Sequence, residues 1–151
     1  VFSNNKNAIG LKFAKENKIE IINLKEKKFD IYEQKLVKIL NKRKIELICL
    51  AGFMKILSSS FIKKFNGKII NIHPSLLPKY KGLNTHRRVI ENKEDYTGCT
   101  VHFVNSKLDS GKIIIQKKVK IFKKDNEKTL AQRVLLEEHK IYPKAIMKLF
   151  S

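Results

Sequence analysis

Apolar residues follow two different spacings in the first half of the chain, and the two alternate. One spacing, at every third or fourth residue, predicts amphipathic helices, whereas short continuous apolar runs predict buried strands. The predicted order is helix 7–17, strand 19–24, helix 30–44, strand 46–51, helix 58–65 and strand 68–72. Asp30 is expected to cap the second helix, since an aspartate often precedes the first helical turn. This alternation indicates βαβ units and a parallel sheet covered on both faces.

The second half of the chain predicts a different strand arrangement. A helix at 85–92 follows a Pro-rich loop, and two strands at 99–104 and 113–122 follow one another with no room for a crossover helix between them. A long helix at 127–150 ends the chain, with an expected disturbance at Tyr142-Pro143. The predicted class is therefore α/β, with a mostly parallel sheet, helices on both faces and an antiparallel C-terminal part.

Length and composition predict one domain. The chain has 151 residues, of which 42% are hydrophobic, which is enough for one core and too little for two. We therefore expect a single domain over residues 1–151. The chain lacks an apolar run near the roughly 18 residues of a membrane span and a secretory signal at its start. A cytoplasmic protein without membrane contact is the expectation.

The formal net charge of +19 raises the question of nucleic-acid binding, because a positive field attracts phosphates. The excess is almost entirely lysine, scattered along the chain beside the isoleucine and asparagine that AT-rich codons also encode. Nucleic-acid surfaces more often concentrate arginine and aromatic side chains. We interpret the charge as a solvated surface that also attracts small anionic substrates, and we consider nucleic-acid binding the weaker reading.

Neither cysteine nor histidine spacing predicts a metal site. Cys49 and Cys99 lie in apolar strand-like segments, so buried free thiols are expected rather than a disulfide. His86 and His139 lie on predicted helices, without the spacing of metal ligands. His102 lies in an apolar strand, which predicts either a packed core residue or a side chain that supports a catalytic group.

Three polar residues have positions that suit acyl-transfer chemistry. Asn71 and His73 are two residues apart on one strand, so their side chains project to the same face. Pro74 ends that strand, and the ends of strands in α/β sheets are where ligands bind. Asp109 supplies a carboxylate in a later loop. Taken singly, the histidine is typical of an ordinary loop and the aspartate of an ordinary turn.

The surrounding motifs give these residues a family context. The sequence reads LAGFMKILS at 50–58, NIHPSLLP at 71–78, and VHFV with LDSG within 101–111. Together these segments closely resemble the phosphoribosylglycinamide formyltransferase family, and the resemblance runs along essentially the whole chain. It implies a Rossmann-like fold and transfer of a one-carbon formyl group from 10-formyltetrahydrofolate to glycinamide ribonucleotide in purine biosynthesis. It implies no metal.

The resemblance also implies roles for individual residues. Asn71, His73 and Asp109 match the family's catalytic asparagine, histidine and aspartate. The implied folate pocket is formed by residues 54–57 and the loop 104–109, and its implied folate-binding residues are Met54, Lys55, Ile56, Leu57, Asn71, Val104 and Asp109. For Met54, Ile56 and Leu57 the alternative is plain core packing. Glu138 matches a residue near the ribonucleotide, with a solvated helix face as its alternative, and Lys55 stands where relatives commonly carry arginine.

One departure from the family concerns the N-terminal region. Residues 1–4 correspond to the family's second strand, so the first strand, the phosphate-binding loop and the first helix have no counterpart in this sequence. An exposed sheet edge is therefore expected, and pairing with another chain, as in a homodimer, is one way to cover it. The alternative functions are a formyltetrahydrofolate deformylase, a tRNA formyltransferase relative, and an inactive truncated pseudoenzyme or basic module.

Overall fold

The computed structural model describes residues 1–3, 5–22, 24, 26 and 28–151. Its elements are α1 (Ile9–Glu16), α2 (Phe29–Lys42), β1 (Leu47–Leu50), α3 (Ser59–Lys64), β2 (Lys68–His73), α4 (Thr85–Glu91), β3 (Tyr96–Phe103), β4 (Ile113–Lys120) and α5 (Glu127–Phe150). The order predicted from residue 46 onward is confirmed. The expectations that fall on Asn4 and Asn23 lie outside the described residues. In the described part of the predicted strand 19–24, the structure has one parallel bridge, between Phe2 and Ile22.

The four strands form one mixed sheet in the order β1-β2-β3-β4. β1 and β2 are parallel, with Leu50 opposite Asn71, whereas β2 with β3 and β3 with β4 are antiparallel. The predicted α/β class and the antiparallel C-terminal part are confirmed. The antiparallel part already begins at β2, because strand direction depends on the path of residues 74–95, which the apolar pattern does not record.

Helices cover both faces of the sheet, as predicted. Successive strand residues point to opposite faces, so the neighbours Ile69 and Ile70 enter two different cores. Ile69 packs in a cluster with α2 and α3, and Ile70 packs in a cluster with α4 and α5. Strand β2 is therefore buried between the two layers, and its end at His73 is held from both sides.

Two helix details differ from the sequence predictions. Lys28, not Asp30, stands at the N-cap of α2, and it makes no side-chain capping bond. Asp30 lies one step inside the first turn, where its negative charge still favours the helix dipole. Helix α5 continues through Pro143. Proline removes one helical N–H donor, and the flanking turns keep the helix in register.

Cys49 is exposed, which corrects the prediction that both thiols are buried. The cause is the position of β1 at an edge: among the described residues this strand pairs only with β2. Beside its outer edge runs an apolar groove lined by residues that include Phe2, Ile22 and Leu47. This groove matches the expected exposed edge. Cys99 is buried, and burial raises the pKa of its thiol to about 12.

None of the helices in the described part of the chain combines the length and the apolar character that crossing a membrane requires.

A charged clamp fixes the start of α5. Arg133 donates two hydrogen bonds to the Asp125 carboxylate, at 2.7 and 2.6 Å, and Asp125 also accepts from the Phe122 N–H at 2.8 Å and the Thr129 hydroxyl at 3.0 Å. Asp125 is 5% exposed. The Arg133 guanidinium is the main reason that the pKa of Asp125 lies below its usual range.

The Asp125→Asn variant is expected to lower the free energy of unfolding at pH 7 by about 1–3 kcal/mol, since it removes a buried charge-assisted pair. A carboxylate whose pKa is lowered by folding stabilises the protein above its unfolded-state pKa of about 3.9 and loses this effect as the pH falls. The difference between wild type and variant should therefore shrink below about pH 5. Urea unfolding of both proteins between pH 3 and pH 7 measures this difference in the free energy of unfolding. A difference that grew as the pH fell would contradict the stabilising role of the Asp125–Arg133 pair.

Candidate active site

The end of β2 presents two polar side chains on one face of the sheet. Asn71 and His73 follow Ile69 at every second position, on the face that carries α2 and α3. His73 is buried and Asn71 is half-buried. The chain then turns away at Pro74, so both side chains lie where the strand gives way to a loop. This arrangement agrees with the sequence prediction.

His73 bridges two loops through its ring nitrogens. Its Nε2 lies 2.9 Å from the carbonyl oxygen of Tyr80, and its Nδ1 lies 3.4 Å from Oδ2 of Asp109. A carbonyl can only accept a hydrogen bond, so Nε2 carries a proton. Nδ1 faces the Asp109 carboxylate, which accepts a hydrogen bond from this nitrogen whenever it carries a proton.

Asp109 is held in place by backbone conformation and by a neighbouring loop. Its φ of 44° lies in the left-handed region, where aspartate is better tolerated than most residues. Its Oδ2 accepts a hydrogen bond from the Gly82 N–H at 2.9 Å, and Lys81 Nζ lies 2.5 Å from the Ser110 hydroxyl. The loop that carries Asp109 is thereby tied to residues 81 and 82, and the carboxylate is only 9% exposed.

His102 joins the same cluster from β3. Its Nδ1 lies 2.8 Å from the Phe103 carbonyl oxygen, which leaves Nε2 as an acceptor in the neutral ring. That Nε2 lies 3.4 Å from Nδ2 of Asn71 and 3.7 Å from Oδ1 of Asp109. Burial is the main reason that the pKa of His102 is lowered, which favours the neutral form. His102 can therefore accept from the Asn71 amide and orient it.

The sequence left open whether His102 is a packed core residue or supports a catalytic group. In the structure it is buried, and it also contacts two of the candidate catalytic residues. It is 2% exposed, and it contacts the asparagine and the aspartate together. The antiparallel register of β2 and β3 sets Asn71 directly opposite His102. Strand pairing was the missing information, because residues 31 positions apart show no relation in the sequence pattern.

A cleft opens beside this cluster. Its lining residues are Leu50, Phe53, Lys55, Ile56, Leu57, Asn71, His102, Val104, Asn105, Lys107, Leu108 and Asp109. The predicted folate-binding residues all line it except Met54, which is 72% exposed. Leu57 also belongs to the core, as its packing alternative predicts. Asn105, Lys107 and Leu108 lie in the predicted loop 104–109, whereas Leu50 and Phe53 were not anticipated. Two lysines and several apolar side chains suit a flat, anionic ligand.

Two other candidate residues lie outside the cleft lining. Glu138 is half-buried on α5, where burial raises its pKa, and it is near enough to Cys99 to help raise the pKa of that thiol. His86 is half-buried on α4, and burial is the main cause that lowers its pKa. Its Nδ1 has no hydrogen-bond partner among the described residues.

Within residues 28–151 and the described parts before them, no group of three His, Cys, Asp or Glu side chains could hold a metal ion.

The cluster combines three groups with different chemical abilities. The Asn71 amide and the His73 ring are donors, and the Asp109 carboxylate is an acceptor. Donors that are fixed before reaction stabilise negative charge on an oxygen, and a carboxylate next to an imidazole can move a proton. This set suits the addition of a nucleophile to a carbonyl.

Comparison with known proteins agrees with this chemistry. Residues 1–146 match the family model described as formyl transferase. The chain is 43% identical over 149 residues to a phosphoribosylglycinamide formyltransferase of Escherichia coli, covering 97% of this chain and 70% of that protein. It is 41% identical to the trifunctional purine biosynthetic protein adenosine-3 of Drosophila melanogaster, of which it spans 11% while 99% of this chain is covered.

Solved structures agree in fold. The phosphoribosylglycinamide formyltransferase of Anaplasma phagocytophilum superposes with a TM-score of 0.89 at 42% identity, covering 97% of this chain and 71% of that one. The enzyme of Streptococcus pneumoniae gives a TM-score of 0.91 at 31% identity, covering 100% of this chain and 86% of that one.

Gly111, just after Asp109, provides a test of how tightly the site is packed. A Cβ added there would lie 1.7 Å from the Phe103 carbonyl oxygen, whereas one added at Gly10 in α1 would meet nothing within 4 Å. Gly111→Ala is expected to destabilise the protein by at least about 1–3 kcal/mol through overpacking. Gly10→Ala should instead leave the stability unchanged or raise it by up to about 0.5–1 kcal/mol, since alanine favours helical backbone more than glycine does. Urea unfolding of the pair checks this, and equal effects would contradict the packing described here.

Proposed function

The chain belongs to the formyl transferase family, and on that premise we propose that it transfers a formyl group from 10-formyltetrahydrofolate to the amine of glycinamide ribonucleotide. The observation that carries this proposal is the convergence of Asn71, His73 and Asp109 beside one cleft. The names of its relatives, the Escherichia coli enzyme among them, supply the acceptor substrate and the purine pathway.

In the proposed mechanism, Asn71 stabilises the reacting carbonyl. One N–H of its amide is directed toward His102, and the other is available to the formyl oxygen. As the amine nitrogen bonds to the formyl carbon, negative charge develops on that oxygen. A donor that is already oriented stabilises this charge more strongly in the transition state than in the ground state.

His73 and Asp109 act together in the same mechanism. A ring N–H of His73, whose nitrogens face the Tyr80 carbonyl and Asp109 in the free protein, turns to the developing oxyanion as a second donor. Asp109 also accepts the proton that the attacking amine must lose, directly or through a water molecule. The adduct then collapses: the bond between the formyl carbon and the folate nitrogen breaks, and that nitrogen takes up a proton as tetrahydrofolate leaves. General acid and base catalysis of this kind typically contributes about 10²- to 10⁴-fold.

The proposed folate site is the cleft itself. Ile56, Leu57 and Val104 offer apolar contacts to a flat ring, and Lys55 and Lys107 offer positive charge to the acidic tail of a folate. Met54 and Glu138 remain proposals from the family resemblance, for the folate and for the ribonucleotide. None of the proposed steps requires a metal ion.

The direct test is the release of tetrahydrofolate from 10-formyltetrahydrofolate, followed with and without glycinamide ribonucleotide. Release that depends on the ribonucleotide supports the proposed transferase. Release without it would indicate a deformylase, and no release under either condition would indicate a chain that keeps the fold without the activity. Omission of the protein controls for spontaneous loss of the formyl group.

His73→Ala is expected to lower kcat by roughly 10²-fold or more while tetrahydrofolate binds within about threefold of wild type, because His73 acts on the developing charge. Asp109→Asn is the partner variant. Its amide oxygen can still accept from the Gly82 N–H, so the fold should persist while proton transfer is lost. Steady-state rates and calorimetric binding of tetrahydrofolate measure both variants, and parallel losses of turnover and affinity would contradict the assigned role of His73.

A further inference from the structure

One wall of the cleft has few internal bonds of its own. Segment 52–57 follows β1 and contributes Phe53, Lys55, Ile56 and Leu57 to the cleft lining. Within the part of the chain that the structure describes, no backbone N–H or C=O group of segment 52–57 forms a hydrogen bond with another backbone group. Gly52 has a φ of 60°, which turns the chain out of the sheet. Such a segment keeps its shape only if its two ends are fixed.

Tyr142 fixes the beginning of this segment. Its hydroxyl reaches from α5 and donates to the carbonyl oxygen of Leu50 at 2.7 Å, and it lies 3.3 Å from the carbonyl oxygen of Ile70. Leu50 is the last residue of β1, and Ile70 directly precedes Asn71. One side chain thus holds the strand that leads into the wall next to the strand that carries the proposed catalytic amide. Burial raises the pKa of Tyr142, so the hydroxyl remains a donor.

Glu33 fixes the other end of the segment from the opposite face of the sheet. Its Oε1 accepts a hydrogen bond from the Ser58 N–H at 2.8 Å, and the Ser58 hydroxyl accepts from the Phe61 N–H at 3.0 Å. Ser58 is both the end of the wall and the N-cap of α3. Glu33 is 4% exposed, and it forms no ion pair with the described residues. A buried carboxylate is tolerated when it is hydrogen-bonded, and here the bond holds a backbone amide.

We propose that Glu33 and Tyr142 are positioning residues that clamp segment 52–57 at its two ends, and so shape the cleft for its ligand. Each helical layer supplies one of these two residues, Glu33 from α2 and Tyr142 from α5. Both helices therefore do more than pack against the sheet. The claim that this ligand is a folate rests on the proposed function. The claim that the two side chains fix the segment does not.

The rate of tryptic cleavage after Lys55 measures how firmly segment 52–57 is held, and the measurement needs no ligand. Trypsin binds its substrate as an extended segment, so cleavage there requires segment 52–57 to detach from the folded cleft wall, and its rate follows the population of the detached form. Glu33→Ala and Tyr142→Phe are expected to raise this rate roughly tenfold, as the loss of one hydrogen bond to the backbone predicts. Cleavage after Lys12, on exposed α1, should stay unchanged in the same samples, as measured by mass spectrometry.

Two matched variants separate clamping from general destabilisation. Glu33→Gln keeps an oxygen acceptor for the Ser58 N–H and should restore the wild-type rate. Tyr32→Phe removes a buried hydroxyl from the residue next to Glu33 on α2, and that hydroxyl has no hydrogen-bond partner among the described residues. It should leave cleavage after Lys55 unchanged. Cleavage after Lys55 that is unaffected by either clamp variant, or that rises only in step with cleavage after Lys12, would overturn the proposal.

The affinity for tetrahydrofolate then tests the consequence for the cleft. Glu33→Ala and Tyr142→Phe should weaken its binding roughly tenfold, with kcat at saturating substrate within about twofold of wild type, because the clamps shape the site and take no part in the chemistry. Unchanged affinity with increased cleavage after Lys55 would refute the shaping of the cleft. If the wild type binds no tetrahydrofolate, the proposed function fails, and the cleavage rates alone still decide whether the two residues clamp the segment.

Discussion

The burial of β2 between two helical layers is the constraint on which the rest of this structure depends. Its neighbouring residues Ile69 and Ile70 anchor two separate cores, and its two edges are paired with β1 and β3. A strand fixed on four sides can carry polar residues at its end with little freedom to move. Asn71 and His73 occupy that end, so the precision of the candidate site derives from the packing of the apolar residues before them.

The same burial makes each polar group depend on a partner. His73, His102 and Asp109 are almost fully buried, and each contacts at least one of the others or a backbone group. Buried charges and dipoles are costly when they are unpaired, so these contacts constrain ring orientation and protonation together. Burial favours the neutral form of His102, and a backbone carbonyl oxygen orients each ring, that of Phe103 for His102 and that of Tyr80 for His73.

The cleft combines this rigid cluster with a less regular wall. The cluster needs fixed geometry, whereas segment 52–57 offers backbone groups that form no hydrogen bond with another backbone group in the described part of the chain. Free backbone donors and acceptors next to apolar side chains are typical of sites for flat heterocycles. Such a segment does not keep its shape without contacts from other elements. The side chains from α2 and α5 at its ends therefore have a function that helix packing alone does not explain. The large positive charge fits this picture, since lysines also line the cleft.

The sequence by itself determined the class of the fold, most element positions and the identity of the three central polar residues. Periodicity of apolar residues records which side chains are buried, and the motifs around Asn71 and Asp109 are local in the chain. The sequence did not predict the features that depend on contacts between residues far apart in the chain. The direction of β3, the exposure of Cys49 and the contact between Asn71 and His102 follow from strand pairing. The clamps on segment 52–57 join residues 25 and 92 positions apart. Only the tertiary structure decides such contacts, because the energy of a hydrogen bond depends on distance in space and leaves no period in the sequence.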